Sequence, residues 1–343
     1  MIPFQFERPD TLARASELLR QDGSVALAGG TTVVDLMKLN VMTPSRVVSV
    51  APIVPTGVEI GPDRIDVAAG TTMAALADAD GLAEALPAVR QSLLLAATPQ
   101  IRNMATIGGN LLQRTRSPYF RHTDMPVAGP SGEAPAEFGR DVDTSLLALF
   151  GHGGQLVGTY PGDFGVVFAA FRGEVSASDG ARSRGIAAAE LYRPPREGEH
   201  QYTNTLEAGE VIVGLSLKRS PMAARSVYYK VRERSSYAFA LASAAVGLDL
   251  DGDTIREAAV GLGGVGAIPW VSQPAEDTLR GEPATDETFE RAAEAAVAEA
   301  EPPAGAEFKV PLLRRTIVRA LQTVRDRFPL SDETMWAMQH GRG

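Results

Sequence analysis

Residues 9–19 carry apolar side chains at helical spacing, with Asp10 placed to cap the start and Gly23 to end the element. Residues 24–28 form a short apolar run that predicts a strand and meets Gly29 and Gly30; residues 33–39 then return to helical spacing. The order there is strand, glycine turn, helix. Further strands are predicted at 46–50 and 64–69, and helices at 72–79 and 82–95. Residues 121–155, rich in Pro, Gly and acid, predict a long loop. Beyond it, 155–159, 174–178 and 211–217 read as strands and 166–171 as a helix. A boundary is expected at Ser220-Pro221. After it, strands at 225–232, 238–249 and 254–262 precede helices at 285–300 and 311–327, so the C-terminal third reads as an α+β unit.

Composition narrows the possibilities. A chain of 343 residues fits two or three packed units better than one. The net charge of −9 and isoelectric point near 5.1 argue against nucleic-acid and anionic-membrane partners. Any anion site must therefore be local. No apolar run approaches the roughly 20 residues that span a bilayer. The N-terminus lacks the basic-then-apolar pattern of a secretory signal, so a cytoplasmic protein is expected. The chain has no cysteine, which excludes disulfides, thiolate nucleophiles and Cys-ligated iron–sulfur clusters. Its four histidines (His122, His152, His200, His340) form no zinc spacing, and no metal site is expected.

Two glycine pairs carry the candidate chemistry. Ala28-Gly29-Gly30-Thr31-Thr32 follows a strand and precedes a helix, an order that directs backbone amides towards a phosphate; a turn chosen only for tightness is the other reading. The second pair lies in the stretch from Thr98 to Phe120, which contains Arg102, Thr106-Ile107-Gly108-Gly109-Asn110, Arg114 and Arg116. Adjacent glycines can take positive φ and leave their N–H groups uncovered. Two such turns suggest a dinucleotide with a pyrophosphate. Neither turn is GxGxxG, neither belongs to a clear βαβ unit with a following acid, and GxxxxGK[ST] is absent, so the usual dinucleotide fold is not expected. Asp163, in Tyr160-Pro161-Gly162-Asp163, is either an acceptor for a ligand hydroxyl or a helix cap. Asp35 reads as a first-turn helix acid. The segment from Tyr228 to Tyr237 is either a solvated basic edge strand or a cationic wall of the site. His122 and Asp124 read as surface residues.

Taken together, these pieces resemble a known family. Ala28-Gly29-Gly30-Thr31 with Asp35-Leu36-Met37-Lys38, then Thr106-Ile107-Gly108-Gly109-Asn110-Leu111, look like the two FAD loops of the medium subunits of molybdenum hydroxylases, the xanthine dehydrogenase and aldehyde oxidoreductase group. The likeness continues through Pro161 and Asp163, with Gly162 where serine is usual, and through Lys230-Val231-Arg232-Glu233-Arg234 and Ser236-Tyr237-Ala238-Phe239-Ala240-Leu241. It extends to Gly263-Gly264-Val265 with Pro269-Trp270, and to Phe308-Lys309. The resemblance is strongest to the bacterial periplasmic-type aldehyde oxidoreductase FAD subunit and covers nearly the whole chain.

The resemblance implies an α+β architecture: a two-lobed, vanillyl-oxidase-like (PCMH-type) FAD-binding domain over 1–220, with lobes of about 1–55 and 56–220. A C-terminal α/β domain of the CO dehydrogenase flavoprotein type would follow over 221–330, then a tail, 331–343. FAD would lie between the lobes with its pyrophosphate over the two glycine turns, and Lys230, Arg232 and Tyr237 would stand near the ring. The implied partners are a molybdopterin-binding large subunit, a [2Fe–2S] small subunit, and a small-molecule substrate or electron acceptor. Near relatives hold a [4Fe–4S] cluster in the loop after the second glycine turn. Here Ser117, Val127, Glu133 and Leu156 stand at those cysteine positions, so the cluster is lost and the loop is expected to be mobile or rearranged. Three functions stay open: an electron-passing FAD subunit of a complex, a free-standing FAD enzyme with its own small substrate in a biosynthetic pathway, and a non-redox protein using the fold. A branched side chain at Gly109 is expected to abolish FAD binding, because it would cover the amides and resist positive φ. FAD titration of Gly109→Val tests this, and unchanged affinity would misplace the pyrophosphate loop.

Overall fold

The computed structural model describes residues 1–121, 144–154, 157–196, 203–331 and 337. His122, Asp124, Val127, Glu133, Leu156, His200, His340 and most of the expected 121–155 loop lie outside these residues.

The chain opens with β1 (Gln5–Glu7), α1 (Leu12–Leu19), β2 (Ser24–Leu27), α2 (Val33–Lys38) and β3 (Arg46–Ser49). The strands form a parallel sheet in the order β1-β3-β2. The first glycine turn therefore does sit in a βαβ unit, β2–α2–β3, contrary to the sequence expectation. Strands of four residues and a helix of six are too short for their periodicity to declare them. α1 is capped by Thr11, whose extended backbone lets its hydroxyl accept from the Arg14 amide, and not by Asp10.

There follow β4 (Val58–Ile60), β5 (Arg64–Ala68), α3 (Met73–Ala77), α4 (Leu82–Ala85), α5 (Pro87–Leu95), α6 (Pro99–Arg102), α7 (Ile107–Leu111), α8 (Pro118–Arg121), α9 (Asp163–Ala170), β6 (Glu174–Ser178), β7 (Ser183–Ala187), α10 (Ala188–Leu191) and β8 (Val211–Lys218). The helix expected over 82–95 is two helices. Pro87 has no amide to donate and Leu86 before it leaves the helical region at φ −159°, so the second helix starts afresh there. The strands make an antiparallel sheet in the order β4-β5-β8-β6-β7. α9 starts at Asp163, three residues before the predicted start, and is buried at every position.

The last part comprises α11 (Pro221–Ala224), β9 (Ser226–Val231), β10 (Ala242–Asp251), β11 (Thr254–Gly263), β12 (Trp270–Val271), α12 (Gln273–Leu279), α13 (Asp286–Val297) and α14 (Lys309–Asp326). Its antiparallel sheet runs β12-β11-β10-β9. β10 begins at Ala242, not at 238 as expected; Ala238, Phe239 and Leu241 before it line a cavity instead. Among the described residues no helix is long and apolar enough to cross a membrane.

Two cores result. One surrounds α5 and α9 with Phe164, Phe168, Leu93 and Ile65; the other packs α13 and α14 on the last sheet through Phe289, Leu313, Ile317 and Val260. Tyr228 and Ala245 face the first core from strands of the last sheet, so α9 is shared ground. A polar tie reinforces the join. Arg172, after α9, donates to the buried Glu276 of α12 at 2.5 Å. Burial pushes the Glu276 carboxyl above its usual range.

Lys309 is fully buried, and its ammonium donates to the carbonyls of Ser145, Leu147 and Gly264 at 2.7, 3.3 and 2.6 Å. This lysine thus serves α14 as a three-way peg into the loops around residues 145 and 264. Lys309→Ala is expected to cost about 3 kcal/mol or more, because three buried carbonyls lose a charged donor. A denaturant melt checks it, and a loss below about 1 kcal/mol would contradict it.

Candidate functional site

Two adjoining cavities lie where the three sheets approach one another. The first, about 340 Å³, is lined mainly by small and apolar groups, among them Val25, Ala28, Val50, Ala51, Val54, Leu206 and Ile212. The second, about 460 Å³, is more polar, with Asn110, Arg116, Asp163, Lys230, Glu233, Arg234, Tyr237 and Phe239 in its wall. Thr31, Thr32 and Gly109 border both. The two glycine turns therefore meet at the neck of one elongated cleft.

Backbone hydrogen bonds and close packing bring them there. Gly108 N donates to Ala69 O at 2.9 Å, Ile107 N to Thr71 O at 2.8 Å and Met73 N to Ala105 O at 2.9 Å, which stitches the second turn to the β5–α3 connection. A Cβ on Gly29 would lie 2.0 Å from the Met104 carbonyl oxygen, so only glycine lets the first turn pack against the chain leading into the second. Gly30 has φ +74°. The second pair does not take the positive φ expected of it: Gly108 and Gly109 are helical, within α7. Glycine serves closeness there instead. A Cβ on Gly108 would meet Ala69 at 2.9 Å, and one on Gly109 would stand 3.1 Å from the Thr106 hydroxyl, which caps α7. Any block at Gly109 therefore comes from filling the neck, not from backbone strain.

The second cavity's inner wall is an ionic cluster. Asp163, at the first position of α9, accepts from the Tyr228 hydroxyl at 2.5 Å and from the Lys230 ammonium at 2.8 Å. Its carboxylate bridges to β9 and does not cap its own helix, where Gly162 is the cap residue. Lys230 also donates to Leu95 O at 3.2 Å, and its side chain is 1% exposed. The Tyr228 amide donates to Gln91 Oε1 at 2.7 Å. Burial, with the Asp163 charge acting the same way, pushes the Tyr228 phenol well above its ordinary range.

At the outer wall, Arg116 donates to Asp35 at 2.8 Å, and Arg121 pairs with the same carboxylate. Asp35 thus ties α2 to the chain beyond the second turn. Burial, then the neighbouring Arg121, lowers the Arg116 guanidinium from its ordinary value. Tyr237 is 55% exposed with φ +50°, and the Arg234 guanidinium both donates to its carbonyl and lies 5.7 Å from its ring centre.

Not every sequence candidate borders the cleft. Ala28, Gly29, Gly30, Thr31, Thr32, Thr106, Gly108, Gly109, Asn110, Arg116, Pro161, Asp163, Lys230 and Tyr237 do. Thr98 caps α6, Arg102 donates to the carbonyls of Leu94 and Ala96, and Ile107 is core. Arg232 reaches Leu95 O at 3.4 Å behind the wall. Met73 and Gln91 were not singled out from sequence, and Arg234 and Phe239 were named only within the family motif. Gln91 alone carried a signal, as a polar residue inside an apolar helical stripe.

Residues 2–217 match the family model described as the FAD binding domain in molybdopterin dehydrogenase, and residues 227–324 that of the CO dehydrogenase flavoprotein C-terminal domain. The chain belongs to this FAD-binding family. It is 34% identical over 340 residues to the aldehyde oxidoreductase FAD-binding subunit PaoB of Escherichia coli K12, covering 95% of this chain and 99% of that one. It is 30% identical over 335 residues to the carbon monoxide dehydrogenase medium chain of Afipia carboxidovorans, covering 93% and 98%. Among solved structures, reconstituted CO dehydrogenase from Oligotropha carboxidovorans superposes with a TM-score of 0.73 at 25% identity, over 95% of this chain and 100% of that one. Quinoline 2-oxidoreductase from Pseudomonas putida 86 shares the fold, with a TM-score of 0.72 at 20% identity over 94% and 97%. The chain is thus an FAD-binding oxidoreductase homologous to the medium subunits of molybdenum hydroxylases, built on an α+β fold.

The cleft fits FAD. Asn110 Oδ1 and Arg116 Nε are buried without a partner, an acceptor and a donor that a bound polar ligand can satisfy. The glycines at the neck leave space that a Cβ would take. Ser117 stands buried against Gly158, and a chain without cysteine holds no thiolate-ligated cluster.

Tyr228, Tyr160 and Tyr192 all have phenols raised by burial. Their folded pKa values exceed the unfolded value of about 10, so their contribution is intact below pH ~10 and is lost as pH rises above it. Tyr228→Phe is expected to lower stability at neutral pH while reducing the alkaline slope by about one proton. Denaturant melts from pH 8 to 11 measure both, and an unchanged slope would contradict the assignment.

Proposed function

We propose that the cleft holds FAD end to end, with the adenine side in the apolar 340 Å³ cavity and the isoalloxazine in the polar 460 Å³ cavity. The observation that carries this reading is the neck shared by Thr31, Thr32 and Gly109, which joins two chemically different chambers at the two glycine turns. When bound, FAD supplies reversible one- and two-electron transfer. The protein's own groups bind, orient and set charge. The Thr31 and Thr32 hydroxyls at the neck face the pyrophosphate, while the Gly108, Gly109 and Asn110 amides already donate to Ala69 O, Thr106 Oγ1 and Thr106 O. Asn110 and Arg116 supply an unpaired acceptor and donor to the polar chamber. Lys230, held against Asp163, offers a positive charge at a fixed place beside the ring, which favours a reduced, anionic flavin. Tyr237 and Phe239 form the apolar rim.

In this reading the chain works as the medium subunit of a complex, receiving electrons from a [2Fe–2S] small subunit that is fed by a molybdopterin large subunit. The lost cluster keeps a free-standing flavoenzyme as the second reading.

Reconstitution with FAD is expected to give flavin bands near about 370 and 450 nm, without an iron–sulfur shoulder. Asn110→Ala is expected to weaken FAD binding about tenfold, as loss of a buried hydrogen bond of ~1.4 kcal/mol requires. Co-expression with candidate large and small subunits, followed by affinity capture, distinguishes a complex from a free enzyme. A folded wild-type protein that refuses FAD would overturn the reading.

A further inference from the structure

One core side chain also makes a polar contact at the wall of the polar chamber. Met73 opens α3 and is 1% exposed, yet it lines the polar chamber together with Asn110. Its thioether sulfur accepts a hydrogen bond from Asn110 Nδ2 at 3.4 Å, while Asn110 Oδ1 is buried and has no donor. Sulfur is a weak acceptor and cannot donate. An amide placed beside it therefore turns its NH₂ towards the sulfur and leaves its oxygen for whatever enters the chamber.

We infer that Met73 is a positioning residue: it fixes the Asn110 amide so that the site presents an acceptor to the flavin and selects a ligand hydroxyl or N–H at that point. The inference rests on the FAD reading above. The position is well defined, because the Met73 amide donates to Ala105 O at 2.9 Å and the flanking Thr72 pairs with Thr106 across an isolated bridge. The thioether and the amide thus ride on two turns already stitched together. Asn110 itself sits on α7, directly after the glycine pair at the neck. A rotation of its amide would present NH₂ to the ligand in place of oxygen, and the sulfur opposes that rotation.

Met73→Leu keeps the volume close and removes the acceptor. FAD affinity is expected to fall about three- to tenfold, with a shift in the visible flavin band, and the melting temperature to change little. Met73→Gln restores a side-chain carbonyl that can accept from Nδ2 and is expected to recover most of the affinity and the original band. In an Asn110→Ala background, Met73→Leu is expected to have no further effect on FAD affinity, because the methionine acts through that amide. Equal losses from Met73→Leu with and without Asn110 would overturn the inference, as would wild-type affinity and an unshifted band in Met73→Leu. Failure of the wild-type protein to take up FAD would instead sink the parent reading, so the two failures are distinguishable.

Discussion

The structure depends on one buried carboxylate. Asp163 stands at the start of a helix with no exposed residue and receives Tyr228 and Lys230 from a strand of another sheet. Both partners are nearly inaccessible, so the contact is a desolvated ion pair completed by a neutral phenol. Such a pair adds little net stability compared with an apolar alternative, yet breaking it leaves a charge stranded, at a cost of about 3–5 kcal/mol. That asymmetry makes it a register device. It ties the last sheet to the start of the α9 helix, and Asp163 and Lys230 both stand in the wall of the polar chamber there.

The cleft follows from two further constraints of the same kind. Gly29 permits a backbone approach that any Cβ would prevent, and Gly108 permits another against Ala69. These contacts bring the two glycine turns, nearly 80 residues apart in sequence, to a common neck. Charge is then distributed around the neck unevenly. Asp35 is bound by two arginines at the outer wall, and Asp163 by a lysine and a tyrosine at the inner wall. The apolar chamber is lined mainly by small and apolar groups, with Arg114 and Glu210 in its wall. An elongated ligand with an apolar heterocycle at one end, a pyrophosphate in the middle and a polar redox ring at the other matches that sequence of environments.

The family likeness and the physical reading agree on the cofactor for different reasons. The likeness rests on ordered short motifs spread over nearly the whole chain. The physical reading rests on unsatisfied atoms, Asn110 Oδ1 and Arg116 Nε, and on space kept open by glycine. Where the two differ, packing explains it. Thr98, Arg102, Ile107 and Arg232 belong to the motif segments but do helix capping, carbonyl bonding and core filling. Residues that frame a loop are as constrained as those that touch a ligand, and a motif does not separate the two.

Most elements longer than about eight residues were legible in the sequence, because a helix or strand of that length repeats its pattern enough to be seen. α13, α14, β8 and β11 are examples. So were both glycine turns and the exclusion of thiolate chemistry, which need only composition and local order. Several features were decided by tertiary structure alone. The βαβ unit around the first turn is built from pieces too short to show a period. The helical conformation of Gly108 and Gly109 comes from pinning by Ala69 and Thr71, since an isolated Gly-Gly prefers no single region. The role of Asp163 depends on a phenol and an amine more than 60 residues later, and the choice between ligand and cap is invisible until those partners are in place. Local pattern reports which backbone states a segment tolerates. Only the folded chain sets which distant groups share a desolvated space, and there the electrostatics of this site are settled.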